Sequence, residues 1–199
     1  MGYHSRIALR KPYISESNRH FRLKWSCERR LWTINDWKNV IWSDESRFTL
    51  FQNDGKVHVW RLPKEKYDVN CLVPTVKHGG GGIMMWGCFS WHKMGPLVRI
   101  DGRINSERYI EEILGYHLIP FLEEFEEEYG EYFFQQDNAS IHTSRKTRDF
   151  IEENAIILLP WPGQSPDLNP IEHIWDELER NIRSRKENPK NIAELEAFL

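Results

Sequence analysis

The stretch that most constrains this chain is Tyr132-Phe133-Phe134, followed by Gln135-Gln136-Asp137-Asn138-Ala139-Ser140-Ile141-His142. The first three residues are apolar, aromatic and β-favouring, which predicts a buried strand. An acid then stands where that strand runs out, with small polar residues and a histidine behind it. A carboxylate at the end of a buried strand is poorly placed for packing and well placed for a ligand. Two more acids have comparable settings. They are Asp44 in Val40-Ile41-Trp42-Ser43-Asp44-Glu45-Ser46, and Glu172 in Ser165-Pro166-Asp167-Leu168-Asn169-Pro170-Ile171-Glu172.

The remaining elements follow from periodicity and punctuation. Residues 1–15 lack periodicity and read as an extended basic arm with Arg6, Arg10 and Lys11. Ser17 or Asn18 is the candidate cap of a helix to about Arg30, and Thr33 to Lys38 reads as a short helix or turn. Val40–Ser43, Arg47–Phe51 and Val57–Trp60 read as strands, with Asn53-Asp54-Gly55 turning between the last two. Ile83–Ser90 and Leu97–Ile100 are further strands. The four glycines 79–82 lack a following Lys-Ser/Thr, so they form no nucleotide P-loop, and a hairpin tip is the plainer reading. Ser106 is the candidate cap of a long helix to about Glu128, with apolar residues at helical spacing from Tyr109 to Phe125. Pro120 is expected to kink it, and the glutamates at 123–128 read as its solvated end. Thr143 caps a helix to about Asn154, and Ile156–Leu159 is another short buried strand. Asn169 as N-cap and Pro170 at the first helical position open a final amphipathic helix. This order predicts an α/β domain with a mixed sheet, an antiparallel meander joined to parallel strands by crossover helices.

Composition narrows the class. At 199 residues the chain can bury one good core. No apolar run approaches the roughly 20 residues of a membrane span, and Met-Gly-Tyr-His-Ser-Arg offers no secretory h-region. Cys27, Cys71 and Cys88 include no Cys-x-x-Cys, which supports neither zinc nor a disulfide framework. The net charge of −3 is unevenly spread: residues 1–43 hold nine Lys/Arg and three Asp/Glu, net +6, and the remainder is net −9. A basic leading segment can track phosphates; an ordinary solvated helix accounts for the same charges.

If the strands ending near Asp44 and Asp137 are neighbours, their ends bring the two acids together, and the final helix can pack Glu172 across them. Hard oxygen ligands of this kind suit Mg²⁺ or Mn²⁺. Two such ions about 4 Å apart can activate an attacking oxygen and stabilise a leaving one. Each acid also has an ordinary explanation. Asp44 and Asp137 can cap turns, and Asn169 with Glu172 fits a variant of the capping box. The residues alone leave both readings open.

Four pieces stand in order: Trp42-Ser43-Asp44-Glu45-Ser46-Arg47-Phe48, Gly87-Cys88-Phe89-Ser90, Gln136 to His142, and Ser165 to Trp175. Together they resemble the catalytic domain of a transposase of the Tc/mariner superfamily, in its Tc-one-like branch. That branch has two Asp and one Glu with 34 residues between the last two, and positions 138–171 number 34. The resemblance implies an RNase H-like fold, a five-stranded mixed sheet flanked by helices. It implies Asp44, Asp137 and Glu172 as catalytic ligands of two Mg²⁺ or Mn²⁺ ions. It further implies cut-and-paste transposition in the nucleus, on double-stranded DNA and away from membranes. Water cleaves at the terminal inverted repeats, and the freed 3′-hydroxyl attacks target DNA at TA. Both steps are in-line displacements at phosphorus that one metal clamp serves.

On this resemblance residues 1–38 are a basic linker and lead-in helix, and residues 39–199 are the catalytic domain. The helix-turn-helix region that reads the repeats in this family is expected to be absent, which predicts a truncated transposase with weak, salt-sensitive and unspecific DNA binding. Asn138, His142 and His173 adjoin the acids as supporting residues, touching metal or phosphate or merely orienting a carboxylate. Arg145, Lys146 and Arg148 either meet phosphates or form a solvated face. Family members pair through the linker and a loop, so residues 1–30 and glycines 79–82 are candidate homodimer contacts. Two other readings compete: a catalytically idle remnant that binds DNA or protein, and a two-carboxylate glycosidase with no need of metal.

Overall fold

A computed structural model of the chain describes residues 14–50, 81–185 and 187–199. Arg6, Arg10, Lys11, the expected turn at 53–55, the strand at 57–60, Cys71 and the first two of the four glycines lie outside them.

Among the described residues four strands form one mixed sheet in the order β3-β2-β1-β4. They are β1 (Val40–Thr49), β2 (Gly82–Phe89), β3 (Met94–Ile100) and β4 (Phe133–Gln135). β1 and β2 pair antiparallel, as do β2 and β3, while β4 runs parallel to β1. The strand expected at 156–159 is reduced to one parallel bridge of Leu158 on Phe134. Phe134 N–H donates to Ile157 O at 2.8 Å and Leu159 N–H to Phe134 O at 2.8 Å. The physical reason is the shortness of β4, whose three residues offer the outer neighbour a single residue of ladder. The expected break in the first strand is also absent. Polar Asp44-Glu45-Ser46 suggested a turn, but Trp42 to Thr49 pair without interruption with Phe89 to Gly82, and that ladder overrides local polarity.

Alternation along β1 divides the cores. Ile41 joins Trp86 and Ile100 beneath a long helical segment, α3. This segment runs through Ser106–Arg108, a π-helical stretch Tyr109–Leu118, and an α-helical stretch Ile119–Tyr129. Its start is capped by Asn105, not Ser106: Asn105 Oδ1 accepts the Arg108 N–H at 2.9 Å. The expected irregularity at Pro120 takes the form of a change from π to α hydrogen bonding just before it, where the missing proline N–H interrupts the ladder in any case. Tyr109, Ile113, Leu114, Leu118, Phe121, Leu122 and Phe125 are buried, each worth roughly 1.5–3 kcal/mol of transfer free energy. The glutamates at 123, 124 and 126–128 face solvent.

Phe48, Ile83 and Met85 on the opposite face pack against α5 (Ile171–Ser184) and α6 (Ile192–Phe198). Gly87, paired with Asp44, lets Trp175 of α5 approach the sheet closely: a Cβ there would sit 2.8 Å from Trp175 Cη2. A third cluster joins Trp25 of α1 (Glu16–Glu28) and Trp37 of α2 (Ile34–Lys38) to Val40, Trp42, Leu159 and Trp161. Two helix caps fall beside their expected positions because the expected residues are engaged elsewhere. Asn18 Nδ2 donates to Gln164 Oε1 at 2.9 Å, and Ser15 caps α1 by accepting the Asn18 N–H at 3.2 Å. Thr143 Oγ1 donates to Ala139 O at 3.1 Å, and Ser144 caps α4 (Arg145–Glu153). Among the described residues no helix is long and apolar enough to cross a membrane.

Candidate active site

Asp44 lies in the middle of β1, not at a strand end. Its exposure comes from its neighbour: β4 pairs with β1 only from Val40 to Trp42 and then departs. Ser43 is the first residue beyond that point, and it is buried. Buried backbone groups need partners, and side chains supply them. Ser43 N–H donates to Gln135 Oε1 at 3.1 Å, and Ser43 O accepts from Asn169 Nδ2 at 3.1 Å. The Ser43 hydroxyl donates to Gln135 O at 2.7 Å. The divergence of the two strands therefore opens a cleft with Asp44 on its wall.

Asn169 ties the start of α5 to that same point. The helix starts one residue later than expected, with Pro170 and not Asn169 at the N-cap, and Asn169 Oδ1 accepts the Ile171 N–H at 3.3 Å from the position before it. Glu172 sits in the first turn of α5. Its carboxyl does not close the expected capping box but lies in hydrogen-bonding contact with Asp44.

Asp137 stands two residues past the end of β4. Its Oδ1 accepts the Ala139 N–H at 2.8 Å and lies 2.7 Å from His142 Nδ1. His142 is 3% exposed, and its Nε2 is 3.2 Å from Glu45 Oε1. Its ring lies 4.6 Å from that of Tyr109, whose hydroxyl donates to Gln136 Oε1 at 3.0 Å. Successive strand residues point to opposite faces, so Asp44 turns toward Glu172 while Glu45 turns toward His142.

Asp44, Glu45, Asp137, Asn138 and Glu172 line one cleft of about 530 Å³, together with Trp161 and residues 163–166. Asn138 Nδ2 donates to Trp161 O at 2.9 Å, which anchors one wall to the other. His142 stands behind Asp137, whereas His173 is exposed on α5 and does not line the cleft. Arg145, Lys146 and Arg148 lie on the exposed face of α4, away from the cleft lining; Arg145 pairs with Asp149 at 3.6 Å and Lys146 with Glu107. Sequence reasoning passed over Glu45 and the Ser43–Gln135–Asn169 network. The signals for them were slight: a second acid beside Asp44, and paired glutamines at the end of an apolar strand.

The electrostatics are those of a site short of positive charge. Burial pushes Asp44 up to about 7, against the Glu45 N–H and with the charges of Glu45, Glu172 and Asp137 adding to the rise. Burial, then Asp176, raises Glu172. The His142 hydrogen bond holds Asp137 below the usual carboxylate range. For His142, burial alone would lower the pKa, but the hydrogen bonds and charges of Asp137 and Glu45 outweigh it and raise it to about 9. Among the described residues no Lys or Arg pairs with Asp44, Asp137 or Glu172. His142 is the cation beside Asp137, and the hard carboxylate oxygens of Asp44 and Glu172, unpaired with Lys or Arg among the described residues, together with Asp137 are a donor set that fits Mg²⁺ or Mn²⁺. The ligand sphere expected from the sequence is not closed, however. Among the described residues no three acid, His or Cys side chains stand close enough to share an ion.

Comparison with known proteins places this geometry. Residues 39–196 match the family model described as DDE superfamily endonuclease. The chain is 42% identical over 200 residues to the transposable element Tcb1 transposase of Caenorhabditis briggsae, covering 98% of this chain and 71% of that protein. It is 43% identical over 181 residues to the Tc1 transposase of Caenorhabditis elegans, covering 91% of this chain and 65% of that protein. The fold matches the Mos1 mariner paired end complex with Mn at a TM-score of 0.70 and 16% identity, over 100% of this chain and 58% of that one. It matches the catalytic domain of Mos1 mariner transposase at a TM-score of 0.58 and 16% identity, over 94% of this chain and 79% of that one.

Proposed function

This chain belongs to the DDE superfamily endonucleases of Tc1/mariner type, and we propose that its cleft performs metal-dependent cleavage and joining of DNA strands. The observation that carries the reading is Asp44, a carboxylate pushed up to about 7 in a cleft shared with Asp137 and Glu172, with no Lys or Arg among the described residues paired to it. Such a site is poorly compensated until a divalent cation enters. Asp44, Asp137 and Glu172 would hold the metal, two ions in the full arrangement. Bound Mg²⁺ or Mn²⁺ supplies Lewis-acid activation of an attacking oxygen and stabilisation of a leaving one.

The protein's own residues supply position. The Ser43–Gln135–Asn169 network sets the spacing between β1 and α5, and so between Asp44 and Glu172. Asn138 and Trp161 shape the wall along which a DNA strand lies. The substrate is double-stranded DNA, at transposon terminal inverted repeats for cleavage and at TA for insertion, with a homodimer as the working unit and the nucleus as the place of action. Support comes from the transposase relatives and from solved Mos1 complexes, one described as a paired end complex with Mn and another as a strand transfer complex. Membership of this family removes the ground for a glycosidase.

The test is nicking of supercoiled plasmid in Mn²⁺ at low salt, with Asp137→Ala beside the parent. Nicking by the parent alone is expected. Equal nicking by both would assign the activity to a contaminant, and a folded parent without activity would favour a catalytically idle chain.

A further inference from the structure

Asp137 is the least constrained of the three acids by its backbone. Asp44 is built into a continuous strand ladder and Glu172 into a helix, whereas Asp137 sits in a loop past β4 with its side chain 52% exposed. A carboxylate in that setting can rotate and offer a cation either oxygen or both. Here rotation is blocked from behind. Asp137 Oδ1 takes the Ala139 N–H at 2.8 Å and His142 Nδ1 at 2.7 Å, which fills its acceptor sites and leaves Oδ2 as the other oxygen of a residue that lines the cleft.

The histidine in turn has no freedom to move. His142 is 3% exposed, its ring lies 4.6 Å from that of Tyr109, and its backbone N–H closes a turn onto Ala139 O at 3.0 Å. Its far nitrogen, Nε2, meets Glu45 Oε1 at 3.2 Å. Glu45 reaches it because it follows Asp44 directly in β1 and therefore leaves the strand on the other face.

We propose that Glu45 is a positioning residue that acts through His142 to hold Asp137 as a single-oxygen metal ligand, presenting Oδ2. The inference rests on the reading of the cleft as a metal site. Outer partners that orient a ligand are commonly worth tenfold to a hundredfold in metal affinity. Two rival roles give different results: Glu45 as a direct ligand, which needs its charge, and Glu45 as inert filling, which needs neither charge nor acceptor.

The experiment is calorimetric titration of the full chain with Mn²⁺ alone, at one pH, for the parent, Asp137→Ala, Glu45→Ala and Glu45→Gln, with thermal unfolding as the check on folding. Asp137→Ala is expected to remove measurable binding. Glu45→Ala is expected to weaken binding by about tenfold to a hundredfold. Glu45→Gln keeps an oxygen that accepts from Nε2 and is expected to stay within about threefold of the parent. Parent-like affinity in Glu45→Ala overturns the proposal and leaves the metal site standing. Equal loss in the Ala and Gln variants also overturns it, since Glu45 would then act by charge as a ligand. Parent-like affinity in Asp137→Ala overturns the metal site itself. If Glu45→Ala does not fold, Glu45→Met, which keeps bulk and drops the acceptor, takes its place.

Discussion

Replacing Asp44 with Asn should make the metal-free protein more stable. The carboxyl is raised from 3.8 to about 7, first by burial, with Glu45, Glu172 and Asp137 adding and the Glu45 N–H opposing. A rise from 3.8 to about 7, at 1.36 kcal/mol for each tenfold change in proton affinity, corresponds to about 4 kcal/mol of penalty for the ionised form. Solvent reaching the cleft reduces this to about 2–4 kcal/mol. The sign follows from linkage. An acid whose folded pKa is raised costs nothing below its unfolded value; the cost grows as pH rises through the interval and is complete above the folded value. Asn cannot ionise. It keeps an oxygen for the Glu45 N–H, 2.8 Å from Asp44 Oδ1 in the parent, and turns donors toward Glu172. Urea unfolding in the presence of a chelator is the assay. Asp44→Asn should exceed the parent by about 2–4 kcal/mol near pH 8, and the two curves should meet near about pH 4. Mn²⁺ at a hundred times its dissociation constant should then add about 2.7 kcal/mol to the parent and less to the variant. Equal stabilities at every pH, or a more stable metal-free parent near pH 8, would refute the claim that this carboxylate is held at a cost to the fold.

Two more outcomes follow from the same network. Asn169→Ala orphans the buried Ser43 carbonyl and removes the acceptor of the Ile171 N–H, so it should cost about 1–3 kcal/mol, read as a lower urea midpoint; an unchanged midpoint would mean the bonds add nothing. His142, raised from 6.5 to about 9, contributes stability that is complete below its unfolded value and lost as pH rises through about 9, up to about 3 kcal/mol. Above about pH 8 Asp44 is essentially ionised, so between about pH 8 and pH 10 the parent should lose stability while His142→Phe shows no matching loss; parallel curves would count against an imidazolium between Asp137 and Glu45.

Much of the fold was legible. The stripe from Tyr109 to Phe125 names the buried face of α3, the following glutamates are solvated as their charge requires, and β2 and β3 fall where β-favouring residues cluster. The errors share one cause. Asp44-Glu45-Ser46 is polar enough to suggest a turn, but a strand is decided by its partner, and β2 carries β1 straight through. The segment at 156–159 is apolar enough to suggest a strand, but β4 beside it is too short to support more than a bridge.

The candidate site divides in the same way. The sequence by itself nominated the three candidate acids, because two aspartates and a glutamate in punctuated settings at the spacing of the family it resembles are local facts. It also determined the α/β class, through a periodicity that each segment carries alone. Only the tertiary structure decided how the acids are held. Ser43 meets Gln135 from 92 positions away and Asn169 from 126, and Glu45 meets His142 from 97. Such contacts have no signature along the chain, because they come from groups left unpaired only once β4 turns away from β1. The charge states of Asp44 and His142 belong to that level as well. They depend on how much water, and how many like and unlike charges, the finished fold leaves around each group.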